Sequence, residues 1–171
     1  MAEQERNPNN LNYLSPLGYK FQIKKIPNTN YFVQRANVPG LSSSPVPVSN
    51  PFTKVPRAGD HIEFEPFNIT LKVNEDFSSY LDIFAWINGY GFPDSHKQYE
   101  ALSKKQVGEA VYSDGTLIIL NSQMNPSIEV TYENMFPTSI SSLEFDSMLE
   151  DVEYLTFTVT FHYTKFTIKL I

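Results

Sequence analysis

Residues Tyr154–Ile171 read "YLTFTVTFHYTKFTIKLI". Leu155, Phe157, Val159, Phe161 and Tyr163 fall on one side of a period-two pattern, and Thr156, Thr158, Thr160, His162 and Thr164 on the other. Successive side chains of a strand point to opposite faces, so this alternation predicts one long β-strand. Its apolar face must bury against a helix or a second sheet, each large side chain contributing about 1.5–3 kcal/mol. The other face is hydroxylated and free of charge.

Working back from that strand, the rest of the chain has a mostly β character. "YKFQIKKI" (Tyr19–Ile26) alternates, "NTN" (Asn28–Asn30) is a turn signal, and "YFVQRANV" (Tyr31–Val38) reads as a return strand, so a hairpin is expected. "HIEFEPFNITLKVNE" alternates again, with Pro66 marking a bulge or an edge. "NEDFSSYLDIFAWINGYG" is the one helix: Asp76 or Ser78 is the expected cap, and Phe77, Tyr80, Leu81, Phe84 and Ile87 or Asn88 form the expected apolar stripe. Gly89 is the expected left-handed C-terminal residue. Residues 91–109 form a polar connection, with a short helical turn expected near Tyr99–Lys104. "EAVYSDGTLIILNS" reads as a hairpin with Asp114–Gly115 at its tip, "SIEVTYENMF" as a strand, and "PTSISSLEFD" as a loop. Strands, one helix, then strands predict a mainly β fold: an antiparallel sandwich or barrel with one flanking α-helix. Residues 1–17, rich in Asn and Pro, read as an N-terminal arm, and 18–171 as the β domain.

Composition excludes several classes. The chain has 171 residues, enough for one domain with a sizeable core. Phe and Tyr number 13 and 10, which favours β structure. There is no cysteine, so disulfides, thiolate metal sites and a thiol nucleophile are excluded. No apolar run approaches the roughly 18–20 residues of a membrane-spanning helix. A net charge of −6 argues against a reader of nucleic-acid sequence, which would carry a basic face. It fits a surface past which nucleic acid moves without sticking.

No motif supports an enzyme. His61, His96 and His162 have no partner ligands at metal-binding spacing. Glu63 and Glu65 share a strand face as a glycosidase pair would, but alternating acids are usually a solvated face. The glycines of "NGYGF" follow a helix instead of opening one, so they offer no N–H groups to phosphate. Trp86 on the helix reads as core. No cofactor is implied.

The stretch "SSSPVPVSNPFTKVPRAGD" (Ser42–Asp60) holds four prolines and no usable alternation. A connection this long in a compact domain is functional or disordered, and the prolines make it stiff and extended. Phe52 and Val55 would be poorly placed on a solvated loop, so an arm at residues 42–59 that touches something is expected. Folding back onto its own sheet is the alternative.

Five segments in order are similar to the tail tube proteins of contractile-tailed bacteriophages. "YKFQIKKIPNTNYFVQRANVPGL" resembles the opening hairpin of that family. "VSNPFTKVPRAGDHIEFEPFNITLKVNEDF" resembles its long loop, Gly-Asp turn, strand and acidic helix start. "SSYLDIFAWINGYGFP" resembles the family helix, "YENMFPTSISSLEFDSM" its Phe-Pro turn and acidic segment, and "LTFTVTFHYTKFTI" its terminal strand. The resemblance spans roughly residues 18–168.

It implies a virion structural protein whose subunits form hexameric rings. Those rings stack into the inner tail tube, through which the tape-measure protein and the genome pass without sequence-specific binding. Implied partners are copies of the chain, the sheath, the baseplate and the tail terminator. The implied location is the virion tail, assembled in the host cytoplasm. Phe52 and Val55 are expected to anchor the arm on a neighbouring subunit or the next ring, with Lys54 and Arg57 pairing with acids there. Thr156, Thr158, Thr160 and His162 are the lumen-facing candidates, because their face is polar, uncharged and flat; an outer solvent face is the equal alternative for it. The N-terminal arm and the apolar-basic "FTIKLI" tail keep open a baseplate tube-initiator or type VI-like secretion-tube component. A monomeric β-sandwich that binds carbohydrate or peptide is the third reading.

Overall fold

A computed structural model describes residues 11–91, 97, 99–100, 111–148 and 153–171. Its strands are β1 (Tyr19–Ile23), β2 (Val33–Ala36), β3 (Leu41–Ser43), β4 (Val46–Ser49), β5 (Lys54–Arg57), β6 (Ile62–Phe64), β7 (Phe67–Lys72), β8 (Ser113–Leu120), β9 (Pro126–Ile140), β10 (Thr156–His162) and β11 (Lys165–Leu170). The described residues also include an α-helix, α1 (Ser78–Gly91), a 3-10 helix, η1 (Pro27–Phe32), and further helical positions at Lys97, Tyr99 and Glu100.

The alternating C-terminal segment forms β10 and β11, two halves of one strand that break only at Tyr163–Thr164. Both pair antiparallel with β9 in nearly continuous register, from Val159 opposite Ile140 to Leu170 opposite Ile128. β9 is therefore longer than its sequence suggests: "PTSI", read as loop, continues the strand.

Three adjacent strands turn a corner at the same level. β8 is irregular at Ser113–Gly115, and Asn134 of β9 has a left-handed φ of 54°. The Asn134 backbone N–H donates to Asp114 Oδ1 at 3.4 Å, and its side-chain amide donates to Thr164 Oγ1 at 3.3 Å. Thr164 N–H donates to Glu133 O at 2.9 Å. Bulges of this kind bend a sheet at barrel corners, and Asn accepts the left-handed conformation more readily than other non-glycine residues. Asp114–Gly115 thus marks a bulge and not a hairpin tip. A Cβ at Gly115 would lie 2.7 Å from Met135 Cε, and the chain reverses instead at Asn121–Asn125.

The corner divides the strands into two layers. A back sheet holds β1, β8, the first part of β9 and β11. A front sheet holds the last part of β9, then β10, β7 and β2. Their inner faces meet in an aromatic core: Phe67 packs on Tyr132 at 4.6 Å between centroids and on Phe21 at 5.0 Å, with Leu71, Phe157, Val159 and Phe161 fully buried.

β1 and β2 do not form the expected hairpin. They sit at opposite ends of the strand order and face each other across a groove lined by Tyr19, Phe21, Gln22, Val33 and Gln34. Pro27 opens η1 between them, and the Asn30 side-chain oxygen takes the Ile23 N–H at 2.9 Å, ending β1. Pro66 does interrupt pairing, separating β6 from β7.

Helix α1 closes the core beside η1 and β9. Its buried positions are Ser79, Ile83, Trp86 and Gly89, one step round from the expected stripe. Tyr80 and Ile87 pack against the core, whereas Leu81 and Phe84 are about half exposed. Gly89 lies inside the helix, not at its end. The cap is Asn74, whose Oδ1 accepts from Ser79 N–H at 3.0 Å; neither Asp76 nor the Ser78 hydroxyl supplies that acceptor. Trp86 Nε1 donates to Val111 O at 2.7 Å and Tyr90 OH to Pro137 O at 2.8 Å. Tyr99 and Glu100 are helical, and the rest of the expected turn to Lys104 lies outside the described residues.

Asn134 is exposed, so Asn134→Val tests backbone strain and not packing. It should cost about 1–3 kcal/mol in chemical denaturation, with Asn134→Gly costing less. Tyr132 is fully buried, and its hydroxyl has no hydrogen-bond partner among the described residues. Burial, and then the neighbouring Tyr163, raise its pKa well above that of a free tyrosine. In the unfolded chain it ionises near pH 10. Its contribution is therefore complete below about pH 10 and is lost as pH rises further. Tyr132→Phe should leave neutral-pH stability unchanged or raise it by about 1–3 kcal/mol. It should also move the midpoint of alkaline unfolding upward, as followed by circular dichroism.

Candidate assembly surfaces

The proline-rich stretch is a β-hairpin in two steps, a correction to its reading as an arm without strands. β3 pairs with β6 at the base, and β4 pairs with β5 toward the tip. Every residue from 41 to 58 is exposed. The steps join where Gly59 lies so close to the Ser44 carbonyl oxygen that no Cβ would fit. Asn50 N–H donates to Thr53 O at 3.0 Å, closing a tip that carries Phe52 at 94% exposure.

Register assigns the faces of this ribbon. Val46 lies opposite Arg57 and Val48 opposite Val55, so these four share one face. Lys54, opposite Ser49, lies on the other face with the Pro47–Pro56 pair. Of the four expected contact residues, the fold brings Val55 and Arg57 together and puts Phe52 at the tip and Lys54 behind. Proline has no N–H, so Pro47 and Pro56 must form a non-hydrogen-bonded pair, with their nitrogens on the outer edges. Each edge of the ribbon lacks a donor there. That protects it from strand addition and leaves its faces for contact.

The base of the ribbon is fixed at the corner. Tyr163 OH donates to Glu65 O at 2.7 Å, and Phe64 meets the Phe166 ring at 5.5 Å. Glu65 Oε2 accepts from Gly40 N–H at 3.2 Å, so this carboxylate orders the entry to the hairpin.

The lumen candidates lie on the outer face of the front sheet. Thr156, Thr158 and His162 are exposed, and Thr160 is half-buried. Thr160 Oγ1 donates to Asn68 Oδ1 at 2.9 Å, and the Thr70 and Thr158 hydroxyls lie 3.4 Å apart. Arg35 of β2 and Lys72 of β7 join this face, opposite Thr70 and Thr156 respectively. The sequence reading missed both, because only register places them beside the threonines.

The front sheet has two open edges. β2 ends the strand order, and Thr138–Ile140 has a partner only in β10 among the described residues. Large apolar side chains are also exposed outside the hairpin. They include Leu11, Tyr13, Leu14 and Leu17 before β1, and Ile168 and Leu170 on β11. Nothing in the described residues groups three metal-ligating side chains. His61 Nδ1 lies 2.6 Å from Oδ1 of its neighbour Asp60, and His96 lies outside the described residues.

Several solved structures share this fold. A chain in the cryo-EM structure of the anti-feeding prophage tube-terminating cap aligns at TM-score 0.65 and 15% identity, covering 100% of both chains. A chain in the sheath/tube terminator structure of an extracellular contractile injection system (PVC), in its extended state, aligns at 0.60 and 18% identity, covering 94% of this chain and 99% of the other. One in the PVC sheath–tube complex aligns at 0.58 and 16% identity, covering 93% of each. No curated protein matches the sequence. The sequence itself matches the phage tail tube protein family across residues 7–169, so the chain belongs to that family of structural tube proteins and not to an enzyme family.

Proposed function

We propose that this protein is the repeating subunit of the inner tube of a contractile phage tail. Six copies form a ring, rings stack, and the genome passes down the lumen into the host. One observation carries the reading: the front sheet is open at β2 and at Thr138–Ile140, and these edges run in opposite directions. β2 of one copy can therefore lie antiparallel beside Thr138–Ile140 of the next and continue the sheet around a ring. Closing a sheet on itself removes its exposed edges. The face carrying Thr156, Thr158, Thr160 and His162 then lines the lumen.

The hairpin arm reaches out of its own subunit onto a neighbour or the next ring. Phe52 at the tip and the Val46, Val48 and Val55 face bury apolar area there, and Lys54 and Arg57 pair with acids. The two-stranded form and its prolines lower the entropy lost on docking. Residues 11–17, ahead of β1, act as a second contact segment, since their exposed Leu11, Tyr13, Leu14 and Leu17 suit an apolar contact. The outer surface meets the sheath, the tube ends meet the baseplate and terminator, and the tape-measure protein occupies the lumen before the genome. The context is supported by likeness to chains from sheath–tube, terminator and baseplate assemblies.

Negative-stain microscopy tests this. Concentrated wild-type protein is expected to form tubes, and Phe52→Ser/Val55→Ser a folded subunit with at least about tenfold fewer. Loss of about 1.5–3 kcal/mol per buried side chain is enough for that. Wild-type tubes from the variant overturn the arm's role. Single rings that never stack point instead to a tube-initiator of the same fold.

A further inference from the structure

The two sheet faces distribute charge differently. On the outer face of the back sheet, acids and bases meet: Lys24 Nζ lies 2.8 Å from Asp114 Oδ2, Lys165 Nζ lies 3.2 Å from Glu133 Oε2, and Glu129 stands opposite Lys169. On the outer face of the front sheet, register places Arg35, Lys72 and the polar Asn68, Thr70, Thr156, Thr158 and Thr160, with Phe136 opposite His162 at one end and no carboxylate among them. This is in a chain with 19 acids against 13 lysines and arginines. Arg35 and Lys72 border one shallow depression with Thr70, Thr156 and Thr158. Among the described residues, Lys72 Nζ lies 4.8 Å from the Tyr154 ring centroid, and the Arg35 charge acts on the Tyr19 hydroxyl.

We infer that Arg35 and Lys72, with the threonine hydroxyls between them, form a phosphodiester-binding strip on the front sheet. This rests on that face being the lumen, and names what the lumen holds: the backbone of a nucleic acid. Arginine, lysine and threonine are the donors that contact phosphate and sugar without reading bases. Tyr31, Phe32 and Val33 line the same depression, with Tyr31 largely exposed; an acidic peptide is therefore the competing ligand, and the polyglutamate arm of the test separates it from nucleic acid. Repeated round a ring, the strip gives a salt-dependent grip. Each phosphate neutralised contributes a slope of about 0.9 in log affinity against log salt. Two cations per subunit therefore weaken retention about tenfold per engaged subunit between 50 and 200 mM salt. The acidic net charge does not make this face repel nucleic acid.

Co-sedimentation of assembled tubes with a fluorescent duplex of about 20 base pairs, across that salt range, is the test. Wild-type tubes are expected to retain the duplex at low salt. Arg35→Gln/Lys72→Gln tubes should retain at least about tenfold less, with a shallower salt slope. Arg35→Lys/Lys72→Arg should restore binding, and Lys20→Gln/Lys169→Gln on the back sheet should leave it unchanged. Tubes that form but retain no duplex overturn this inference and leave the tube function standing. Equal loss in the back-sheet variant, or equally tight capture of polyglutamate, also overturns it. Failure of the wild type to form tubes removes the lumen itself and the inference with it.

Discussion

β9 and the split final strand stay paired while both pass through a bend, and the rest of the subunit is arranged around that bend. Asn134 accepts a left-handed backbone, Asp114 and Thr164 hold it from either side, and Gly115 leaves room for Met135 beneath. Without this corner, β8, β9, β10 and β11 would extend as one sheet with a bare apolar face. With it, the inner rows close on each other, and Phe67 reaches Phe21, Tyr132 and Phe161. The corner also fixes the hairpin arm, because Tyr163 and Phe166, on either side of the strand break, hold Glu65 and Phe64.

Satisfying the core leaves much unsatisfied outside it. The front sheet ends in open edges, and the hairpin carries a valine face and a phenylalanine tip into solvent. A monomer with this surface would be prone to association, since exposed edges and contiguous apolar patches invite pairing. The hairpin meets that hazard by a local device. Pro47 and Pro56 remove edge donors, so the arm can be buried by its face but cannot easily be extended as a sheet. Directed association through some edges and blocked association through others is what a subunit of a regular assembly requires.

The long alternating strand, the helix and the mainly β class were legible in the sequence because period-two and helical patterns are local. What the sequence hid was non-local. Tyr19–Ile23 and Val33–Ala36 look like a hairpin because they are near in sequence, yet each finds a partner elsewhere, in β8 and β7. Asp-Gly is a turn signal, but here it serves a bulge, and only the partner strands distinguish the two. The helix stripe was read one step off because Leu81 and Phe84 are apolar but face outward. The hairpin strands were missed because alternation with proline does not look like a strand until a second proline stands opposite. Arg35 and Lys72 sit far in sequence from Thr156, Thr158 and Thr160 and adjoin them only through register.

Amide hydrogen exchange of assembled and dissociated protein tests the central claim most directly, since it reads the open edges of the front sheet one residue at a time. On assembly, the amides of Val33–Ala36 and Thr138–Ile140 that point away from β7 and β10 should slow together by at least about a hundredfold, as cross-subunit strand pairing requires. Assembled particles in which both edges exchange at the rate of the free subunit would contradict the account.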